Sequence, residues 1–342
     1  MNKTLFSIIS SLLLFLLMAC HKEQNINIRL ESNQIPIITQ TKGIGDKEPM
    51  VAVYIETNDT NPLNAGDYFL EDGSTYYDFV QLFSANIHKT IVNNEVEPTL
   101  YFNPEMVNIF ENGGVETYIE PLQNMGMGVL MCVMGDWCGL GLSNMNDTQT
   151  TQFATILAYA VTKYRLDGIC FGDEYTGNDT IINDSYSNII LKLRALVPSK
   201  YIVVYDWGAT SYISPTAAAE IDYAYSGYYG YYIPHSYSNV TGITAGRWAP
   251  ISLLLGQTYS TYALNTVQTW SSNAFNSGYG AIMHFNLRQS SDVDPLPVMQ
   301  AHADGLDWGT VYCTNGDRSR TSGFVPYGFT ITYSDALQGM TP

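Results

Sequence analysis

The chain has 342 residues, of which 46% are hydrophobic and 14% charged, so it holds enough apolar matter for one large core and presents a surface poor in charge. Its formal net charge of −17 at pH 7 argues against a nucleic-acid partner and against direct adsorption to anionic lipid, because both need a basic footprint. Tyrosine occurs 26 times; such a surface suits neutral, hydroxyl-rich ligands, since an aromatic face stacks on a sugar ring, while the acidity by itself serves plain solubility.

The first elements belong to targeting. Lys3 gives a positive start, residues 5–18 form an apolar run, and small Ala19 stands just before Cys20. The run is short for a spanning helix, which needs about 20 apolar residues. Leu17-Met18-Ala19-Cys20 resembles a bacterial lipobox. Residues 1–19 are therefore expected to be a lipoprotein signal peptide, with Cys20 acylated after cleavage. Several acyl chains on one cysteine anchor durably where a single chain does not. The expected location is the outer membrane, with the cell surface as its outward face. Residues 20–47 are polar and irregular and read as a tether.

From residue 48 the pattern changes. Short β-rich runs at 50–57, 78–87, 128–134, 167–175, 201–206, 222–226, 251–256 and 279–286 alternate with helical stretches, including 114–125, 150–164 and 186–197. This count and alternation predict a (β/α)8 TIM-like barrel over residues 48–310. Residues 311–342, rich in Gly, Ser and Tyr, read as a C-terminal extension, an irregular cap or short hairpin. Cys132, Cys138, Cys170 and Cys313 fit no zinc spacing, and the five histidines are scattered, so neither a metal site nor a cofactor is expected.

One stretch is more specific. Leu166-Asp167-Gly168-Ile169-Cys170-Phe171-Gly172-Asp173-Glu174-Tyr175 resembles the signature strand of family 18 glycoside hydrolases, in the Endo H and Endo F type of endo-β-N-acetylglucosaminidase. There the strand runs Leu-Asp-Gly-x-Asp-x-Asp-Asp-Glu-Tyr. Segments 53–68, 79–87, 129–141 and 223–230 agree in order, so the resemblance spans roughly 49–308.

The resemblance implies an activity. Such enzymes cut the chitobiose core of N-glycans by substrate-assisted catalysis, outside the usual two-carboxylate scheme. A Glu protonates the leaving oxygen, the substrate's acetamide oxygen attacks the anomeric carbon, and an Asp two residues before the Glu orients the acetamide and stabilises the charged intermediate. Here the acid position is Glu174, but Gly172 and Cys170 stand where the family has Asp. Strand alternation puts Gly168, Cys170, Gly172 and Glu174 on one face, and Asp173 on the other. The expectation is that no anion beside Glu174 raises its pKa and none steadies the intermediate.

Other residues carry two readings each. Glu56 matches a family carboxylate that reaches sugar hydroxyls, or is a solvated loop residue. Tyr228 and Tyr229 match the tyrosines of the acetamide pocket, or are barrel packing. Asp206 and Trp207 end the fifth strand, where barrel sites are built; Asp206 is either a relocated carboxylate or a loop cap. Trp137 is a sugar platform or a packed rim aromatic, and Asn286 a site residue or a strand-end turn residue. The sequence thus predicts a glycan-binding lipoprotein on a degenerate hydrolase barrel, with an active endo-β-N-acetylglucosaminidase as the alternative. A protein-binding barrel has no positive feature in it.

Overall fold

The computed structural model describes residue 44 and residues 46–177, 180–255, 263–287, 293–314 and 326–340. The signal peptide, Cys20, nearly all of the tether and Gly256 of the seventh predicted strand lie outside the described residues. The strands in chain order are β1 (Met50–Glu56), β2 (Tyr68–Leu70), β3 (Phe79–Val92), β4 (Glu95–Phe102), β5 (Gly128–Gly135), β6 (Gly168–Gly172), β7 (Tyr201–Asp206), β8 (Tyr223–Ser226), β9 (Trp248–Ala249), β10 (Ser252–Leu254), β11 (Ala281–Phe285), β12 (Val311–Cys313) and β13 (Phe329–Ile331). The α-helices are α1 (Pro104–Phe110), α2 (Glu120–Asn124), α3 (Asp147–Lys163), α4 (Ser185–Leu196), α5 (Pro215–Ala219), α6 (Leu264–Asn276), α7 (Leu296–Leu306) and α8 (Tyr333–Met340). Among the described residues, no helix is long and apolar enough to cross a membrane.

The parallel ladder runs β10-β11-β1-β3-β5-β6-β7-β8-β9. β9 pairs β8 and β10 pairs β11, and only Pro250 and Ile251 separate β9 from β10. They are two halves of one bent strand, because a proline has no N–H for the ladder. The ring therefore closes through the seventh member of a (β/α)8 barrel. The sequence pattern placed that strand after Pro250 and missed its first half.

Alternation sorts the side chains into two cores. Val51, Val53, Ile55, Ile169, Phe171, Ile202 and Val204 point outward into the layer under the helices. Met50, Ala52, Tyr54, Leu130, Cys132, Cys170, Val203, Tyr205 and Tyr225 fill the interior. Each fully buried apolar side chain of this kind contributes about 1.5–3 kcal/mol. Helix α3 starts where a capping box sets it: the Asn146 side chain accepts from Gln149 N (2.9 Å), and the Gln149 side chain accepts from Asn146 N (2.9 Å).

Three regions depart from the sequence reading. β3 overshoots the barrel and folds back as β4 through Asn93 and Asn94, whose φ values of 51° and 66° suit a tight hairpin turn. The described part of 311–342 is regular: β12 pairs β2, β13 pairs β4, and α8 packs against α3. Lys47, assigned to the tether, is buried; its Nζ donates to Thr75 O (2.5 Å) and Tyr76 O (2.7 Å) and lies 3.3 Å from Asp78 Oδ2. A buried carboxylate needs such a partner, so the chain is fixed from this point on.

Candidate functional site

A cavity of about 350 Å³ opens at the C-terminal ends of the barrel strands, the end where barrels of this type carry their sites. Its walls include Tyr54, Glu56, Phe83, Cys132, Met134, Cys170, Gly172, Glu174, Tyr175, Tyr205, Tyr229, Phe285 and Asn286. Cys170, Gly172 and Glu174 face it together, as strand alternation requires.

Backbone pairing continues past the end of β6 and holds Glu174. Gly135 N donates to Glu174 O (2.9 Å), Trp137 N to Tyr175 O (2.5 Å) and Gly139 N to Thr176 O (2.9 Å). Position 135 must be glycine, since a Cβ there would stand 2.5 Å from Glu174 O. Burial lifts the Glu174 carboxyl above the ordinary range, and the charge of Asp173 adds to the lift. This corrects the expectation that losing both aspartates leaves nothing to raise that pKa: the half-buried position does it, helped by the neighbour on the opposite face.

Asp173 itself serves the scaffold. It accepts from Ser143 Oγ (3.2 Å) and Ala209 N (2.9 Å), and so pins two rim loops. The floor below Glu174 is sulfur and phenol. Cys132 and Cys170 are register partners on β5 and β6, both thiols are free, and Tyr54 Oη lies 2.8 Å from Cys170 Sγ. A side-chain hydrogen bond joins Tyr229 to Tyr205, whose hydroxyl donates to Gly227 O (3.1 Å). The position of the missing carboxylate stays open: a Cβ built on Gly172 meets only Met134 Cε, at 3.9 Å.

The structure brings Glu56, Tyr229 and Asn286 to the same cavity as Glu174. Asp206 is not among the lining residues. It is 3% exposed and accepts from Thr210 Oγ1 (2.5 Å), Ser238 Oγ (2.9 Å), Asn239 N (2.9 Å) and Asn239 Nδ2 (3.2 Å). Both oxygens are engaged in capping loops, so the relocated-carboxylate reading fails on geometry.

Trp137, Trp207 and Tyr228 stand outside the cavity as exposed aromatics, 71%, 42% and 50% accessible. Trp137 tilts against Tyr175 with centroids 5.6 Å apart, and Trp207 sits edge-on to Tyr228, also at 5.6 Å. Tyr175 also lines a second, shallower cavity with Trp137, Asp173 and Ile181. Sequence reasoning missed Tyr54, Phe83, Tyr205 and Phe285. Tyr54 and Tyr205 lie on the inward register of strands already recognised, so counting by twos along β1 and β7 finds them.

The structure also gathers one polar cluster that the spacing of histidines and cysteines concealed. The ligand atoms of His88, Asp136 and Cys138 lie within 4.8 Å of one another on the rim.

A parallel-strand barrel with a half-buried glutamate past the end of its fourth barrel strand, facing a tyrosine-lined cavity, has the layout of a glycoside hydrolase barrel. The chain is 31% identical over 257 residues, 72% of its length, to 77% of an endo-β-N-acetylglucosaminidase from Flavobacterium sp. (strain SK1022). It is 29% identical over 268 residues to endo-β-N-acetylglucosaminidase F1 of Elizabethkingia meningoseptica, covering 74% of this chain and 76% of that protein. The chain belongs to the endo-β-N-acetylglucosaminidase family of glycoside hydrolase family 18 barrels. No protein-family model matches it. Among solved structures, EndoBT-3987 of Bacteroides thetaiotamicron, in complex with a Man9GlcNAc2Asn substrate, has the same fold: TM-score 0.68 at 22% identity, over 83% of this chain and 72% of that one.

Proposed function

We propose that this protein binds N-glycans, or related chains containing N-acetylglucosamine, and does not hydrolyse them. The observation that carries the reading is the pair Gly172 and Cys170 beneath Glu174. Where the family resemblance calls for two carboxylates, this cavity has an open space and a thiol under a tyrosine hydroxyl. An acid at Glu174 protonates a leaving group, but an oxazoline intermediate with no anion beneath it lacks what is commonly the largest stabilising contribution. Sugar binding asks for less: aromatic walls and hydroxyl-directed hydrogen bonds, which Tyr205, Tyr229, Phe285, Glu56 and Asn286 supply.

In this reading the domain is displayed on a lipid carried by Cys20 at the outer membrane, on its cell-surface face, and captures glycans for processing elsewhere.

A second reading is a working endo-β-N-acetylglucosaminidase. Two observations favour it: burial raises the Glu174 carboxyl as a general acid requires, and Glu56 lines the same cavity. Asp206 has no part in it. Binding and release measured side by side on one glycoprotein separate the two readings. Retention of an intact glycan supports the binding function. Release at about 1–1000 per second, the ordinary range of enzymes, overturns it.

A further inference from the structure

His88 projects from the part of β3 that overshoots the barrel, while Asp136 and Cys138 belong to the loop leaving β5. His88 Nε2 lies 2.8 Å from Asp136 Oδ2, and the Cys138 thiol completes a set whose ligand atoms all lie within 4.8 Å of one another. Two separate backbones hold these groups. The imidazole plane is fixed by face-to-face stacking on Tyr101, with centroids 4.4 Å apart and planes 8° from parallel. The loop is fixed by its ladder to Glu174, Tyr175 and Thr176. The side chains of His88 and Asp136 are 26% and 47% exposed, so an ion has a path in.

We infer that His88, Asp136 and Cys138 form a zinc site on the rim of the barrel. One nitrogen, one oxygen and one sulfur suit a borderline-soft ion with tetrahedral preference. Calcium and magnesium favour all-oxygen cages and are poorly served. Thiolate and carboxylate together neutralise a divalent charge, and water takes the fourth position. The thiol proton leaves to solvent when sulfur binds.

The ion would cross-link the β3–β4 hairpin to the loop after β5. Trp137 lies between two of its ligands and has a positive φ of 55°. A bound ion therefore fixes the most exposed rim tryptophan in place. Any effect of this on glycan affinity rests on the glycan-binding reading; the ion site does not.

The test reads the ion directly. Full-length protein is stripped with a chelator and titrated with Zn2+ by calorimetry, then with Co2+ by absorption spectroscopy. The expected result is one zinc per chain and a sulfur-to-cobalt charge-transfer band. Cys138→Ser should abolish the band, and His88→Gln should weaken zinc binding by more than the ~10–100-fold that loss of a ligand's outer partner costs, while buried Cys313→Ser changes neither. Circular dichroism verifies that each variant is folded. Absence of stoichiometric binding overturns the proposal. So does binding that survives Cys138→Ser or is lost in Cys20→Ser, which would move the ligand to the chain's start.

Discussion

Tyr54 Oη lies 2.8 Å from Cys170 Sγ, so the cavity wall carries a phenol against a thiol. The same hydroxyl is placed to donate to a carboxylate, and the space above it at Gly172 is open. Gly172→Asp combined with Cys170→Asp is therefore expected to create or raise hydrolysis, by on the order of 100-fold over the parent chain. Adding Glu174→Gln should remove the gain. Mass spectrometry of released glycan is the readout. A folded double variant that still binds glycan and releases none would show that more than the two carboxylates is missing.

Exposed aromatics provide a binding test. Trp137→Ala and Trp207→Ala should each weaken glycan binding about 2–12-fold, the loss of roughly 0.5–1.5 kcal/mol of aromatic contact. Both side chains are exposed on the rim, Trp137 the more so, and thermal stability should hold. Unchanged affinity in both variants would confine recognition to the inner cavity.

A pH effect follows from the pair His284 and His302, whose ring centroids lie 5.0 Å apart. Burial holds both neutral: His302 is pushed down to about 3, and His284 is depressed by burial first and by His302 second. Unfolded histidines take up protons near pH 6.5, while the folded pair refuses them. The unfolded state then binds more protons as acidity rises, so stability falls from about pH 6.5 down towards pH 3, by up to ~1.4 kcal/mol per pH unit for each histidine. Urea midpoints at pH 7, 5 and 4 measure the slope. His302→Gln should flatten it, and an unchanged slope would place the acid sensitivity in the carboxylates.

The anchor has its own test. Cys20→Ser should move the protein from the membrane fraction to the soluble one, since no other acylation position is proposed. Retention in the membrane fraction would reject the lipid tether.

The barrel was legible because period-two runs and helical stretches alternate along the chain. The face occupied by Cys170, Gly172 and Glu174 was legible because alternation is strict within one strand. What escaped depended on groups far apart in sequence. Asp206 looked available at a strand end until Ser238 and Asn239 were seen to occupy it. Glu174 looked untuned because burial is not written in a motif. Lys47 looked like linker until Asp78 met it across the bottom of the barrel. His88 and Asp136 are 48 positions apart, and only the overshoot of β3 brings them together.

The pairing of β13 with β4 sets an order on folding. Thr330 faces Tyr101, so the outer edge of an early hairpin is sealed by one of the last segments to be made. Until that segment arrives, β4 presents a bare row of backbone donors and acceptors to any other extended chain. Contacts that bridge so much sequence form slowly. The first half of the chain must therefore keep from sticking to other chains until its last part has folded onto it. Glu95 and Glu97, on the stretch of β4 that β13 leaves uncovered, put charge on the remainder of that edge, a feature that discourages pairing with another chain.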